Sequence, residues 1–160
     1  MLEWLQNTPY AVWVRESWGW PYALTLHAFG TAIVVGLIFI IGLRLLGLFR
    51  TIPYTSLNKL LPYIWAGVVV QAYSGFTLWA SKPAKYLADG PFLWKFAFVI
   101  VGVVVTLYFQ KALKREAAAW EAAGTVSSRG VQFVAATALA WSAVLVMGRL
   151  TAYLGSLYAG

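Results

Sequence analysis

The chain has 160 residues, of which 61% are hydrophobic and 11% charged, with a formal net charge of +7 and a mean hydropathy of +0.73. About a quarter of the residues in a soluble domain are charged, so these proportions exclude that class and point to a small integral membrane protein. The absence of cysteine excludes disulfides, thiolate metal sites and a covalently tethered c-type haem, and basic residues scattered over several loops exclude nucleic acid as a partner.

The first twenty residues carry Glu3, Arg15 and Glu16 among Trp4, Trp13, Trp18 and Trp20. They lack the basic start, short apolar stretch and small-residue cleavage site of a secretion signal. Tryptophan favours the headgroup level, so a short interfacial helix is predicted here, with a lid over a site as the alternative. Thr8-Pro9 marks its start, because proline in the first turn loses no hydrogen bond. Tyr10, Trp13, Val14 and Trp18 supply its apolar side.

Four stretches then read as membrane spans, at residues 21–47, 60–80, 91–111 and 129–154. The first holds His27, the only histidine, one turn inside its apolar run, and ends with Arg44 close enough to the interface to snorkel. A connection over residues 48–59 leads to the second, where Gly67, Gln71, Ser74, Gly75 and Leu78 follow a three-and-four spacing. Such a stripe permits close helix packing or lines a cofactor cavity.

A short loop over residues 82–91 precedes the third span, where Lys95, Val99, Gly102, Thr106 and Gln110 share a side. The helix then projects out of the bilayer over residues 111–116, whose mixed charges favour water. The fourth carries Gln132, Ala135, Leu139, Ser142, Val146, Arg149 and Tyr153 along one face. The expected fold is all-α, a single-domain integral membrane four-helix bundle with a short N-terminal interfacial helix.

Seven basic residues (Arg44, Arg50, Lys59, Lys111, Lys114, Arg115, Arg129) fall on the side of the first and third loops. Five (Arg15, Lys82, Lys85, Lys95, Arg149) fall on the other. The excess places those loops in the cytoplasm and both termini outside. His27, Lys95 and Arg149 then lie about one turn below the same outer interface, with Ser74 and Thr77 at similar depth. No acidic residue is available there, so a lipid headgroup, a cofactor carboxylate or a partner side chain is expected to complete the site. Snorkelling of Lys95 and Arg149 to phospholipid phosphate is the ordinary alternative.

Three functional readings follow. In the first, His27 is an axial ligand of a b-type haem, Gly30 leaves room for the macrocycle, Lys95 and Arg149 pair with propionates, and Met147 or a partner supplies a second ligand. In the second, His27 serves a quinone headgroup in a cavity that includes Gln71 and Ser74, shaped by Tyr22, Trp79, Trp94 and Tyr153. Either makes the chain an electron-transfer subunit of a larger complex rather than a complete enzyme. In the third it is a non-catalytic structural or assembly subunit. It then meets other membrane subunits, a second copy or lipids through small-residue faces such as Ala135, Ala136, Ala138, Ala140 and Ala143, and His27 is a packing residue. Transport is disfavoured, since neither extra spans nor broken helices are evident.

The run Trp20-Pro21-Tyr22-Ala23-Leu24-Thr25-Leu26-His27-Ala28-Phe29-Gly30 resembles an uncharacterised family of small four-span bacterial inner-membrane proteins. So do Gly42-Leu43-Arg44-Leu45-Leu46-Gly47, Gly75, Phe92-Leu93-Trp94-Lys95 and Gly148-Arg149-Leu150-Thr151-Ala152-Tyr153. That family is distantly similar to copper-resistance D and cytochrome b561 membrane domains. The resemblance implies an inner-membrane location and a haem or electron-transfer setting, with His27 and Arg149 as the positions carried over. Those relatives provide several histidines where this chain has one. The acidic residue expected just before the helix-one arginine is Leu43 here.

Overall fold

The computed structural model describes residues 3–157; Met1 and Leu2 of the predicted interfacial segment lie outside them. The elements are all helical: α1 (Glu3–Gln6), α2 (Pro9–Glu16), α3 (Gly19–Leu45), a 3₁₀ helix (Tyr54–Leu60), α4 (Leu61–Ser81), α5 (Pro83–Ala88), α6 (Gly90–Ala123) and α7 (Ser128–Leu157). Three are long and apolar enough to cross a membrane: α3, α6 and the Ser128–Thr151 part of α7. The fourth expected span, α4, has 21 residues, a sufficient length. It falls outside that group because Gln71, Ser74, Thr77 and Ser81, with two tyrosines, two tryptophans and two glycines, dilute its apolar character.

The long helices pack antiparallel in the order α4–α3–α7–α6. One end, called the upper end, is formed by the starts of α3 and α6 and the ends of α4 and α7. Close approach of α3 to α4 is set by glycine. A Cβ on Gly30 would stand 3.1 Å from the Gln71 backbone nitrogen and 3.2 Å from the Gly67 carbonyl, and one on Gly67 would stand 2.8 Å from Val34 Cγ2. The small-residue stripe of α4 therefore faces α3. Gly30 opens no space for a macrocycle, contrary to expectation, because α4 fills it.

The apolar core sits mainly in the lower half, where Ile38, Ile41, Leu45, Leu57, Leu61, Ile64, Phe109, Leu113 and Trp120 are buried together. Here the helix of the third span, expected to project as far as Glu116, runs further. Nothing in residues 111–123 breaks a helix, so α6 continues to Ala123 and stops at Gly124, whose φ of 67° is the left-handed cap that glycine tolerates best. Its 34 residues measure about 51 Å, well beyond a hydrocarbon core of about 30 Å. The surplus turns pack on the 3₁₀ helix: Trp120 meets Tyr54 edge-on, and Glu121 accepts the Thr55 N–H. Arg44 does not snorkel. It is buried, donates from Nε to the Ile52 carbonyl and stacks 3.8 Å from the Tyr54 ring centre.

At the upper end, Thr8 caps α2 by accepting the Ala11 N–H, with Pro9 at the first helical position. The face of α2 that packs inward is Ala11 and Val14, whereas Trp13 and Trp18 of the predicted apolar side are exposed. Tyr10 donates to Thr77 Oγ1, whose own hydrogen goes to the Tyr73 carbonyl, and Arg15 donates to the Ser81 carbonyl. These bonds tie α2 to the end of α4. The predicted loop over residues 82–91 contains α5, joined to α6 by Tyr86 against Phe92. Burial, then the Asp89 carboxylate, holds the Tyr86 phenol above its usual range.

Candidate functional site: a lysine–histidine pair between four helices

His27 projects from α3, one turn before Thr31, toward a level of α4 where Ser74 and Gly75 stand side by side. Gly75 matters because a Cβ there would stand 3.3 Å from His27 Cε1. Ser74 is fully buried and returns its hydrogen to the Val70 carbonyl at 2.7 Å. Its lone pair is thus left to accept from His27 Nδ1 at 3.0 Å. With its hydrogen on Nδ1, the imidazole presents an acceptor at Nε2. That acceptor faces Lys95 Nζ of α6, 3.4 Å away. Lys95 in turn lies against Gly148 of α7, where a Cβ would be 3.6 Å from Nζ. All four long helices meet at this level.

One turn below, the Gln71 amide donates to Thr31 Oγ1, which donates to the His27 carbonyl. Gln71 Oε1 is buried without a hydrogen-bond partner. Deeper still, Trp141 Nε1 donates to Thr106 Oγ1 at 3.0 Å, and Trp65 Nε1 to Gln110 Oε1 at 2.5 Å. The shared side of the third predicted span is therefore its bundle-facing side, read out by one polar contact every few turns.

Of the residues singled out from the sequence, the structure brings together His27, Ser74 and Lys95, with Gln71 one turn away. Arg149 stands apart. It belongs to the stripe that includes Leu139, Val146 and Tyr153, all exposed, and is exposed itself. The residue that meets Lys95 is its neighbour Gly148, about 100° around the helix. Of the three groups expected together, Lys95 and a neutral His27 meet. Gly148 was missed because a glycine in an apolar run carries no chemical signal, whereas an arginine does.

A haem does not fit this arrangement. Both ring nitrogens of His27 are directed at protein groups, the chain has no second histidine, and Gly30 is covered by α4. Met147 precedes the glycine that packs on Lys95, and its carbonyl accepts the Thr151 hydroxyl. Among the described residues, no group of three or more histidine, cysteine, aspartate or glutamate side chains is placed to hold a metal ion. Nor do the aromatic residues considered for a quinone slot converge: Tyr22, Trp94 and Tyr153 are exposed, and Trp79 packs on Phe76. Two shallow apolar grooves follow α3 along Leu24–Ala32 and Phe29–Ile40, and His27 lines neither.

No family model, curated protein or solved structure matches the chain. What the arrangement can do chemically therefore rests on its own residues. It is a lysine amine below the upper end of the bundle, oriented by an imidazole, with no ion-pair partner among the described residues. Lys95 has three N–H donors, and His27 accounts for one.

Proposed function

We propose that the chain is a small integral-membrane subunit of a larger bacterial inner-membrane complex, and that the Lys95–His27 pair is where a group from outside the chain joins it. The observation that carries this reading is that Lys95 forms no ion pair among the described residues; the one ion pair there, Arg15 with Glu16, lies in α2. A cation in a low-dielectric setting is costly unless something compensates it, and a neutral imidazole compensates only in part.

In this reading α4 is the fourth span, its polar groups turned to α3 and α2 rather than to lipid, and α1, α2 and α5 lie at the outer interface. The basic excess at the lower end supports a cytoplasmic position for it and a periplasmic one for both termini. Exposed Trp4, Trp13, Trp18 and Trp94 at the upper end fit the aromatic belt of an outer leaflet.

A quinone-linked electron-transfer role is the second reading, favoured by the N–H donors of Lys95 that His27 does not use. A quinone would supply two-electron, two-proton chemistry. Lys95 would hold its carbonyl oxygen, and His27 would keep the lysine oriented.

One experiment separates these readings: extraction of the native assembly in mild detergent, followed by its mass, optical spectrum and extractable quinone. A mass well above that of the chain, without haem or quinone, is the expected result. A monomer would sink the subunit reading, and stoichiometric quinone would favour the second.

A further inference from the structure

We propose that the upper half of the seam between α4 and α6 is the docking surface for a transmembrane helix of a different chain, bearing an aspartate or glutamate that pairs with Lys95. The inference rests on the subunit reading and names the partner's chemistry.

Charge is the first support. The chain has five acidic residues, and each belongs elsewhere. Glu3 lies in α1, Glu16 pairs with Arg15, Asp89 precedes α6, Glu116 accepts the Ser127 hydroxyl and Glu121 accepts the Thr55 N–H. Among the described residues none pairs with Lys95, and a carboxylate from another molecule would supply the missing partner. A second copy would bring another Lys95 and no acid, adding like charge, so the partner is heterologous.

Packing order is the second support. With the sequence α4–α3–α7–α6, α4 and α6 are the two edges, and among the described residues they share no extended helix–helix contact. Low in the bundle the Trp65–Gln110 hydrogen bond clasps them. Above that clasp, Ala72 and Phe76 lie seven and eleven residues beyond Trp65, on the same side of α4, and both are exposed. Phe96, beside Lys95 on α6, is exposed as well, and α6 is the least covered of the three candidate spans. The seam is thus apolar, open above Trp65, and ends at Lys95.

Depth is the third. A lysine serving a lipid phosphate extends toward the headgroups. Here Nζ is turned instead to His27, the ninth residue of α3, about 12 Å along the axis from the helix start. A carboxylate on a transmembrane helix can reach that level directly.

The test uses the full chain reconstituted in phosphatidylcholine vesicles, labelled at one introduced cysteine, and a labelled Leu/Ala helix of roughly 20 residues. The helix carries a single Glu about a third of the way along, with Gln and Lys versions for comparison. Energy transfer should report association of the Glu helix at least about tenfold tighter than the other two. That preference should vanish in Lys95→Met, and equally in Lys95→Gln, which keeps the result readable if one variant fails to fold. Ala72→Trp, which fills the seam, should weaken binding of the Glu helix, whereas Leu139→Trp on the outward face of α7 should not. Equal association of the Glu and Gln helices, or a Glu preference that survives loss of Lys95, overturns the proposal. So does abolition of the preference by added phosphatidylglycerol, which would identify an anionic lipid headgroup as the occupant. Failure here with a high native mass removes only this partner, whereas a monomeric native mass removes the subunit reading itself.

Discussion

Lys95 Nζ lies 3.4 Å from His27 Nε2, the one imidazole nitrogen left as an acceptor once Nδ1 has been committed to Ser74. The relationship fixes the roles of both side chains: the histidine orients, and the lysine presents its charge. It also separates the stability of the chain from its assembly. Replacing a desolvated charge by an apolar group of similar length removes a cost, so Lys95→Met should stabilise the isolated chain by about 1–2 kcal/mol. His27→Ala should destabilise it by about 2–3 kcal/mol, since it leaves both Lys95 and buried Ser74 without their partner. Thermal unfolding of the two variants in detergent gives both signs.

The glycines of α3 make a second pair of opposite predictions. Gly30 faces backbone of α4 at 3.1–3.2 Å, whereas nothing lies within 4 Å of a Cβ on Gly36. Gly30→Val should cost about 1–3 kcal/mol, because the backbone of α4 must retreat. Gly36→Ala should be neutral or gain up to about 1 kcal/mol in helix propensity. Melting temperatures of the purified variants check this.

The clasp between α4 and α6 is a third target. Gln110→Leu strands the Trp65 indole N–H and should cost about 1–3 kcal/mol, while Trp65→Phe with Gln110→Leu should recover most of that loss, since no donor is then left unpaired. A double-mutant cycle on unfolding measures the coupling.

Arg44 supplies the fourth. Its buried guanidinium closes the turn after α3 through the Ile52 carbonyl and the Tyr54 ring. Arg44→Lys keeps the charge and loses the planar stack, so it should not restore what Arg44→Met loses. The readout is faster proteolytic cleavage between residues 46 and 53 in both variants.

Orientation is tested with single cysteines, which the chain's lack of any native cysteine makes clean. A membrane-impermeant thiol reagent added to intact cells should label Ser17→Cys near the upper end and leave Thr125→Cys at the lower end untouched. The opposite pattern would invert the proposed topology.

The sequence by itself determined that the chain is helical and apolar enough for a membrane, and roughly where its long helices begin. Hydropathy, proline in a first turn and the Thr8 cap act within a few residues of chain, so they are legible locally. It also isolated His27 and Lys95, because ionisable groups in apolar runs stand out. The projection of α6 beyond its span was expected to reach Glu116 and runs on to Ala123, because no residue between them breaks a helix and Gly124 is the first that caps one. Tertiary structure alone decided that Lys95 meets His27 while Arg149 does not, and that α4 and α6 are left as edges. One residue along a helix is a turn of about 100°, so membership of a site depends on how each helix is rotated against its neighbours, and that rotation is set by where glycines let backbones touch.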